Sequence, residues 1–109
     1  MEGGPQTFGA SWEWQDDTVR VRLVGELDLG TVEQLRQVLS KAETRGTELV
    51  IDLRSLTFID SSGLHELVQA RQRYEQRGGR LTLVRGSPAV QRILSVSKLH
   101  QYFDFAEPD

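Results

Sequence analysis

The run Leu49-Val50-Ile51-Asp52-Leu53, and the change of period that follows it, constrain this chain most. The run is short and rich in branched apolar residues, as a buried strand requires. From Leu64 onward the spacing becomes helical. Leu64, Leu67, Val68, Arg71 and Tyr74 fall on one face, with His65, Glu66, Gln69, Gln72, Arg73 and Gln76 opposite. Asp60-Ser61-Ser62-Gly63 therefore stands at the mouth of a helix. The first amides there lack intrahelical partners and the helix dipole is positive, so the place suits an oxygen-rich group, a phosphate included. Asp and Ser are also the commonest helix N-caps, worth about 1 kcal/mol, and capping is the ordinary meaning of such a tetrapeptide.

Turn and cap signals divide the rest. Residues 1–9 contain Gly and Pro and read as a loose, flexible N-terminus; the remaining 10–109 read as one domain. Ser11 to Gln15 alternates with Trp12 and Trp14 on one face, and Asp16-Asp17 makes a turn. Thr18 to Val24 alternates again, with Val19, Val21 and Leu23 on one side and Arg20 and Arg22 on the other. The two segments form a hairpin. Thr31 is placed to cap a helix whose Val32, Leu35, Val38, Leu39 and Ala42 form a stripe ending at Gly46. The second helix runs from about Ser61 to Arg77, stopped by Gly78-Gly79. Arg80 to Val84 is another strand. Pro88 opens a third helix carrying Val90, Ile93 and Leu94, and Tyr102 to Phe105 is a last short strand. An opening hairpin followed by alternating helices and strands predicts an α/β domain, a small mixed sheet covered by helices.

Composition narrows the function. The 109 residues contain no cysteine, so disulfides, thiolate zinc sites and cysteine nucleophiles are excluded. The two histidines fall in different elements, and no metal or cofactor is expected. No Gly-x-Ser-x-Gly elbow surrounds Ser61, and there is no phosphate loop with a lysine, so the chain does not read as an enzyme. The net charge of −3 argues against nucleic acid. No apolar run approaches the ~20 residues needed to span a bilayer, and the N-terminus lacks the pattern of a secretory signal. A cytoplasmic protein is expected. Asp52 is read as ending its strand and capping a turn with Ser55, and Glu26 as exposed.

Three segments carry a family resemblance. Thr57-Phe58-Ile59-Asp60-Ser61-Ser62-Gly63-Leu64 resembles the signature of the bacterial anti-sigma factor antagonists of the STAS domain family. Leu23-Val24-Gly25-Glu26-Leu27-Asp28 resembles the family's N-terminal block, and Ser87 to Leu94, with Leu99 and Phe103, its C-terminal block. The resemblance implies a switch. The unphosphorylated domain binds an anti-sigma factor, usually itself a serine kinase, and so releases a sigma factor. Phosphorylation of the serine matching Ser61 ends the interaction, and a phosphatase restores it. Local sequence does not separate Ser61 from Ser62; only the family match selects Ser61 and leaves Ser62 as a cap. The expected contact patch is Asp28, Thr57, Asp60, Ser61, Ser62, Gly63, His65 and Gln69, with Arg36 and Glu43 of the first helix outside it. The other role consistent with the fold is that of a STAS subunit in a lipid-transport ATPase complex or a stress-sensing assembly. A phosphorylatable serine at this position favours the switch. Lys98 departs from the family, which usually has glycine before the matching leucine, so a different turn is expected there.

Overall fold

The structure, a computed structural model, describes residues 8–106. Nine elements follow in order: β1 (Phe8–Gln15), β2 (Thr18–Leu27), α1 (Val32–Ala42), β3 (Glu48–Ile59), α2 (Ser61–Gln76), β4 (Arg80–Val84), α3 (Pro88–Val96), a 3-10 turn (Leu99–Gln101) and β5 (Asp104–Ala106). The strands form one sheet in the order β1-β2-β3-β4-β5. Only the hairpin pair β1–β2 is antiparallel; the other three pairings are parallel and are bridged by helices. The expected mixed sheet is therefore present.

Register explains which face is covered. Trp12 pairs with Val21 and Trp14 with Val19, and Val21 aligns in turn with Ile51 and Leu83. Opposed residues share a face. Val19, Val21, Leu23, Ile51, Leu53 and Leu83 are buried beneath the helices with Leu35 and Leu39 of α1, Leu67, Ala70 and Tyr74 of α2 and Leu94 of α3. The opposite face presents Arg20, Arg22, Val50, Arg54 and Thr82, none of them buried, together with the buried Asp52 and Val84. The helices thus cover one side. Trp14 is 51% exposed, stacks on Trp12 with ring centroids 5.7 Å apart, and lies under the guanidinium of Arg45 at 4.4 Å. An edge pair held by stacking and a cation–π contact replaces full burial.

Several boundaries differ from the sequence expectation. Residues 1–7, most of the expected loose leader, lie outside the described residues, but Phe8 is strand and its ring is in the core. β3 runs on to Ile59 and pairs with β2 from Glu48 to Ile59, with register shifts, where a turn at Asp52 and Ser55 was expected. Register shifts between Arg22 and Val24 and between Gly25 and Glu26 accompany the extension and break the alternation that would have revealed it. Asp52 does not end a strand. It sits within β3, 5% exposed, and accepts from Nε and Nη2 of Arg54 at 3.0 and 2.8 Å. α1 ends at Ala42, before Gly46. The last strand begins at Asp104 instead of Tyr102, because Leu99–Gln101 forms the 3-10 turn. Lys98 takes the left-handed conformation (φ 64°) that glycine adopts more readily, which carries a conformational cost for a residue with a side chain.

Candidate functional site at the start of the second helix

Asp60 organises the site. It is the N-cap of α2, and its Oδ1 accepts from the amides of Ser62 (2.9 Å) and Gly63 (3.2 Å). Its Oδ2 accepts from the amide of Leu29 at 3.2 Å, and its own amide donates to the carbonyl of Leu27. One carboxylate thus caps the helix and ties the β2–α1 loop to it. Ser62, expected as the cap, is instead a half-buried residue of the first turn. Ser61 precedes it and is exposed.

The β2–α1 loop is folded on itself. Asp28 Oδ1 accepts from the amide of Gly30 at 3.0 Å. The Thr31 hydroxyl donates to the carbonyl of Glu26 (2.8 Å) and accepts from the amide of Asp28 (3.0 Å). Thr31 stands at the N-cap position of α1 but makes no side-chain cap bond; its hydroxyl is committed backward into the loop. Asp28 therefore sits in a loop tied, through the amide of the next residue Leu29, to Asp60, which precedes Ser61.

The remaining expected residues divide. His65 and Gln69 are exposed on α2, one and two turns beyond Ser61. Thr57 is exposed and its hydroxyl donates to the carbonyl of Gly25 at 3.1 Å. Gly63 is buried, which corrects its inclusion among surface contacts. A Cβ there would lie 2.7 Å from Leu27 Cγ and 2.9 Å from Ile59 Cγ1. What Gly63 provides is close approach of the first helical turn to the strands, leaving Ser61 on the rim. Glu66, expected on the solvent face, is 2% exposed. It accepts from Arg36 Nε at 3.0 Å and from Arg73 Nη2 at 3.3 Å, and Arg73 pairs in turn with Glu43 at 2.7 Å.

Sequence reasoning missed the α1 side of the site. A groove between the helix starts is lined by Leu29, Val32, Glu33, Arg36, Ser61, Ser62 and His65. Arg36, expected to be remote, shares this groove with Ser61. Leu29 is 77% exposed beside it, an apolar residue held out at a loop tip, and Phe58 is 46% exposed near the end of β3. A Leu in a Gly- and Asp-containing loop was the available sign. Among the described residues, no cluster of His, Cys, Asp or Glu is placed to hold a metal ion, and no helix is long and apolar enough to cross a membrane.

Comparison with known proteins gives the family. The STAS domain model matches residues 11–108. The chain belongs to the STAS domain family. An anti-sigma F factor antagonist of Lysinibacillus sphaericus is 38% identical over 85 residues, covering 76% of this chain and 73% of that protein. A crystal structure of an anti-sigma factor antagonist from Mycobacterium paratuberculosis superposes with a TM-score of 0.82 at 26% identity, covering 99% of this chain and 92% of the other. The antagonist SpoIIAA is similar in both its forms. The unphosphorylated form has a TM-score of 0.70 at 30% identity, covering 93% of this chain and 88% of that one. The phosphorylated Bacillus form has a TM-score of 0.72 at 29% identity, covering 93% and 92%. This STAS domain thus resembles a regulator solved on both sides of a phosphorylation event.

Proposed function

We propose that this STAS domain is an anti-sigma factor antagonist, a binding protein and not an enzyme, whose partner is an anti-sigma factor. The unphosphorylated domain binds that factor and so frees a sigma factor for transcription. A serine kinase, in this reading the anti-sigma factor itself, transfers a phosphoryl group from ATP to Ser61 Oγ, with loss of the hydroxyl proton and release of ADP. Binding then ends until a phosphatase removes the group. The observation that carries the reading is the exposed Ser61, set by a fully satisfied Asp60 cap on the rim of a groove shared by α1, α2 and the β2–α1 loop. The named relatives support the partner class, and SpoIIAA's phosphorylated form supports a phosphoserine switch.

The physics of the switch is local. A phosphoserine adds close to two negative charges. The amides and dipole at the helix start accommodate an anion, whereas a close-packed interface does not. A loss of about 2.8 kcal/mol weakens a complex a hundredfold. The contact surface in this reading is Asp28, Thr57, Asp60, Ser61, Ser62, His65 and Gln69, and the 77% exposure of Leu29 supports including it too. The test is incubation with the cognate kinase and ATP, followed by mass-spectrometric mapping. Phosphate on Ser61 is expected; phosphate chiefly on the half-buried Ser62, or none on the domain, would overturn the assignment.

A further inference from the structure

Arg36 enters the Ser61 groove from α1 with its hydrogen-bonding capacity partly unused. Its Nε donates to Glu66 Oε1 at 3.0 Å and its Nη1 to Glu33 Oε1 at 3.1 Å. A guanidinium carries five N–H donors, so three of Arg36's have no hydrogen-bonded protein acceptor among the described residues. The groove they share holds Ser61, Ser62 and His65.

The two carboxylates that hold Arg36 do so unequally. The Glu66 side chain is 3% exposed, and a buried carboxylate stripped of its partner is costly. The Glu33 side chain is 67% exposed and sits three residues away on the same helix. Such pairs contribute little and exchange readily. An anion entering the groove therefore competes with Glu33 and not with Glu66. A phosphoryl dianion offers three acceptor oxygens to a planar fork that suits them.

We propose that Arg36 is the residue that holds the phosphoryl group once Ser61 is phosphorylated. Its Nε stays on Glu66 while Nη1 leaves Glu33 and, with the unused Nη2, donates to phosphoryl oxygens. This rests on Ser61 being the modified residue and adds the means by which the modification is read. The start of α2 becomes linked to α1 through phosphoserine, Arg36 and Glu66, and Glu33 is left as an unpaired acid on the groove rim. A partner then meets an altered α1 as well as an altered serine. Arg36 acts as a positioning residue for the modified state and contributes nothing to the transfer chemistry.

The experiment installs phosphoserine at position 61 by genetic encoding, so no kinase is needed, and follows the second phosphate pKa by phosphorus NMR. That value is ordinarily near 6. Because Arg36→Gln alone unpairs one side of Glu66, the comparison is made in a Glu66→Gln background, whose amide still accepts from Nε without demanding a charge. Adding Arg36→Gln to that background should raise the phosphate pKa by about half a unit or more. Arg36→Lys, a point charge that cannot serve both groups, should recover only part of the depression. In the otherwise unaltered protein, the Arg36 side-chain nitrogen resonances should shift on phosphorylation. A phosphate pKa indifferent to Arg36, with those resonances unmoved, would overturn the proposal. A kinase that fails to modify Ser61 would instead remove the reading beneath it, and mass spectrometry distinguishes that outcome.

Discussion

Asp60 shows how much one side chain fixes here. Its two oxygens serve α2 and the β2–α1 loop together, so Asp60→Ala should cost more than an isolated cap. We expect about 1–2 kcal/mol in chemical denaturation, with faster amide exchange at Leu29; a Leu29 amide as protected as before would mean the loop is held by other means. Gly63→Ala should destabilise by about 1–3 kcal/mol, because the new methyl meets Leu27 and Ile59 at under 3 Å. Thermal melts check it. At this scale the sequence could place Asp60, Ser61 and Ser62 at a helix start, since that follows from the change of period at Leu64. It could not say which serine is exposed. That depends on how far the first turn sinks onto Leu27, a residue more than thirty positions away.

Among the elements, α2 departs most from its sequence pattern. Its periodicity correctly put Leu64, Leu67 and Tyr74 inward, but Glu66 reads as polar and therefore outward. It is buried because Arg36, thirty residues upstream, and Arg73 meet it between the helices. Local spacing carries no trace of such a pairing. Glu66→Ala should cost about 1–2 kcal/mol, the exposure of both arginines reducing the effect. If the variant melts with the wild type, the network contributes nothing to holding α1 on α2. β3 offers the parallel lesson: Arg54 and Ser55 interrupt the apolar run, yet pairing with β2 keeps the backbone extended to Ile59. Within it, the Arg54 guanidinium holds the Asp52 carboxyl below the ordinary carboxylate range. A carboxyl with a lowered folded pKa stabilises above its unfolded value of about 3.9 and loses that contribution as pH falls through the folded one. Arg54→Gln should therefore reduce stability at neutral pH and flatten its decline below about pH 4. An acid-denaturation profile parallel to wild type would contradict this.

For the whole molecule, the one-sided sheet gathers the β2–α1 loop, the start of α1 and the start of α2 at one end. The alternation of strands and helices foretold that architecture, and the change of period at Leu64 foretold that Ser61 stands at the start of α2. The contribution of α1 was not legible, because it arises only when two helix starts are laid side by side. His65 is exposed one turn beyond Ser61 and lines the same groove. His65→Glu should therefore weaken partner binding by about 1 kcal/mol or more, and an unchanged affinity would move the interface elsewhere. The central claim is that charge at Ser61 abolishes binding without disturbing the fold. It is tested most directly by titrating the anti-sigma factor into the unmodified protein and into protein carrying phosphoserine at position 61, with thermal melts of both. The account predicts at least a hundredfold loss of affinity, about 2.8 kcal/mol, with melting temperatures within a few degrees. Equal affinities, or a loss that comes with a much lower melting temperature, would contradict it.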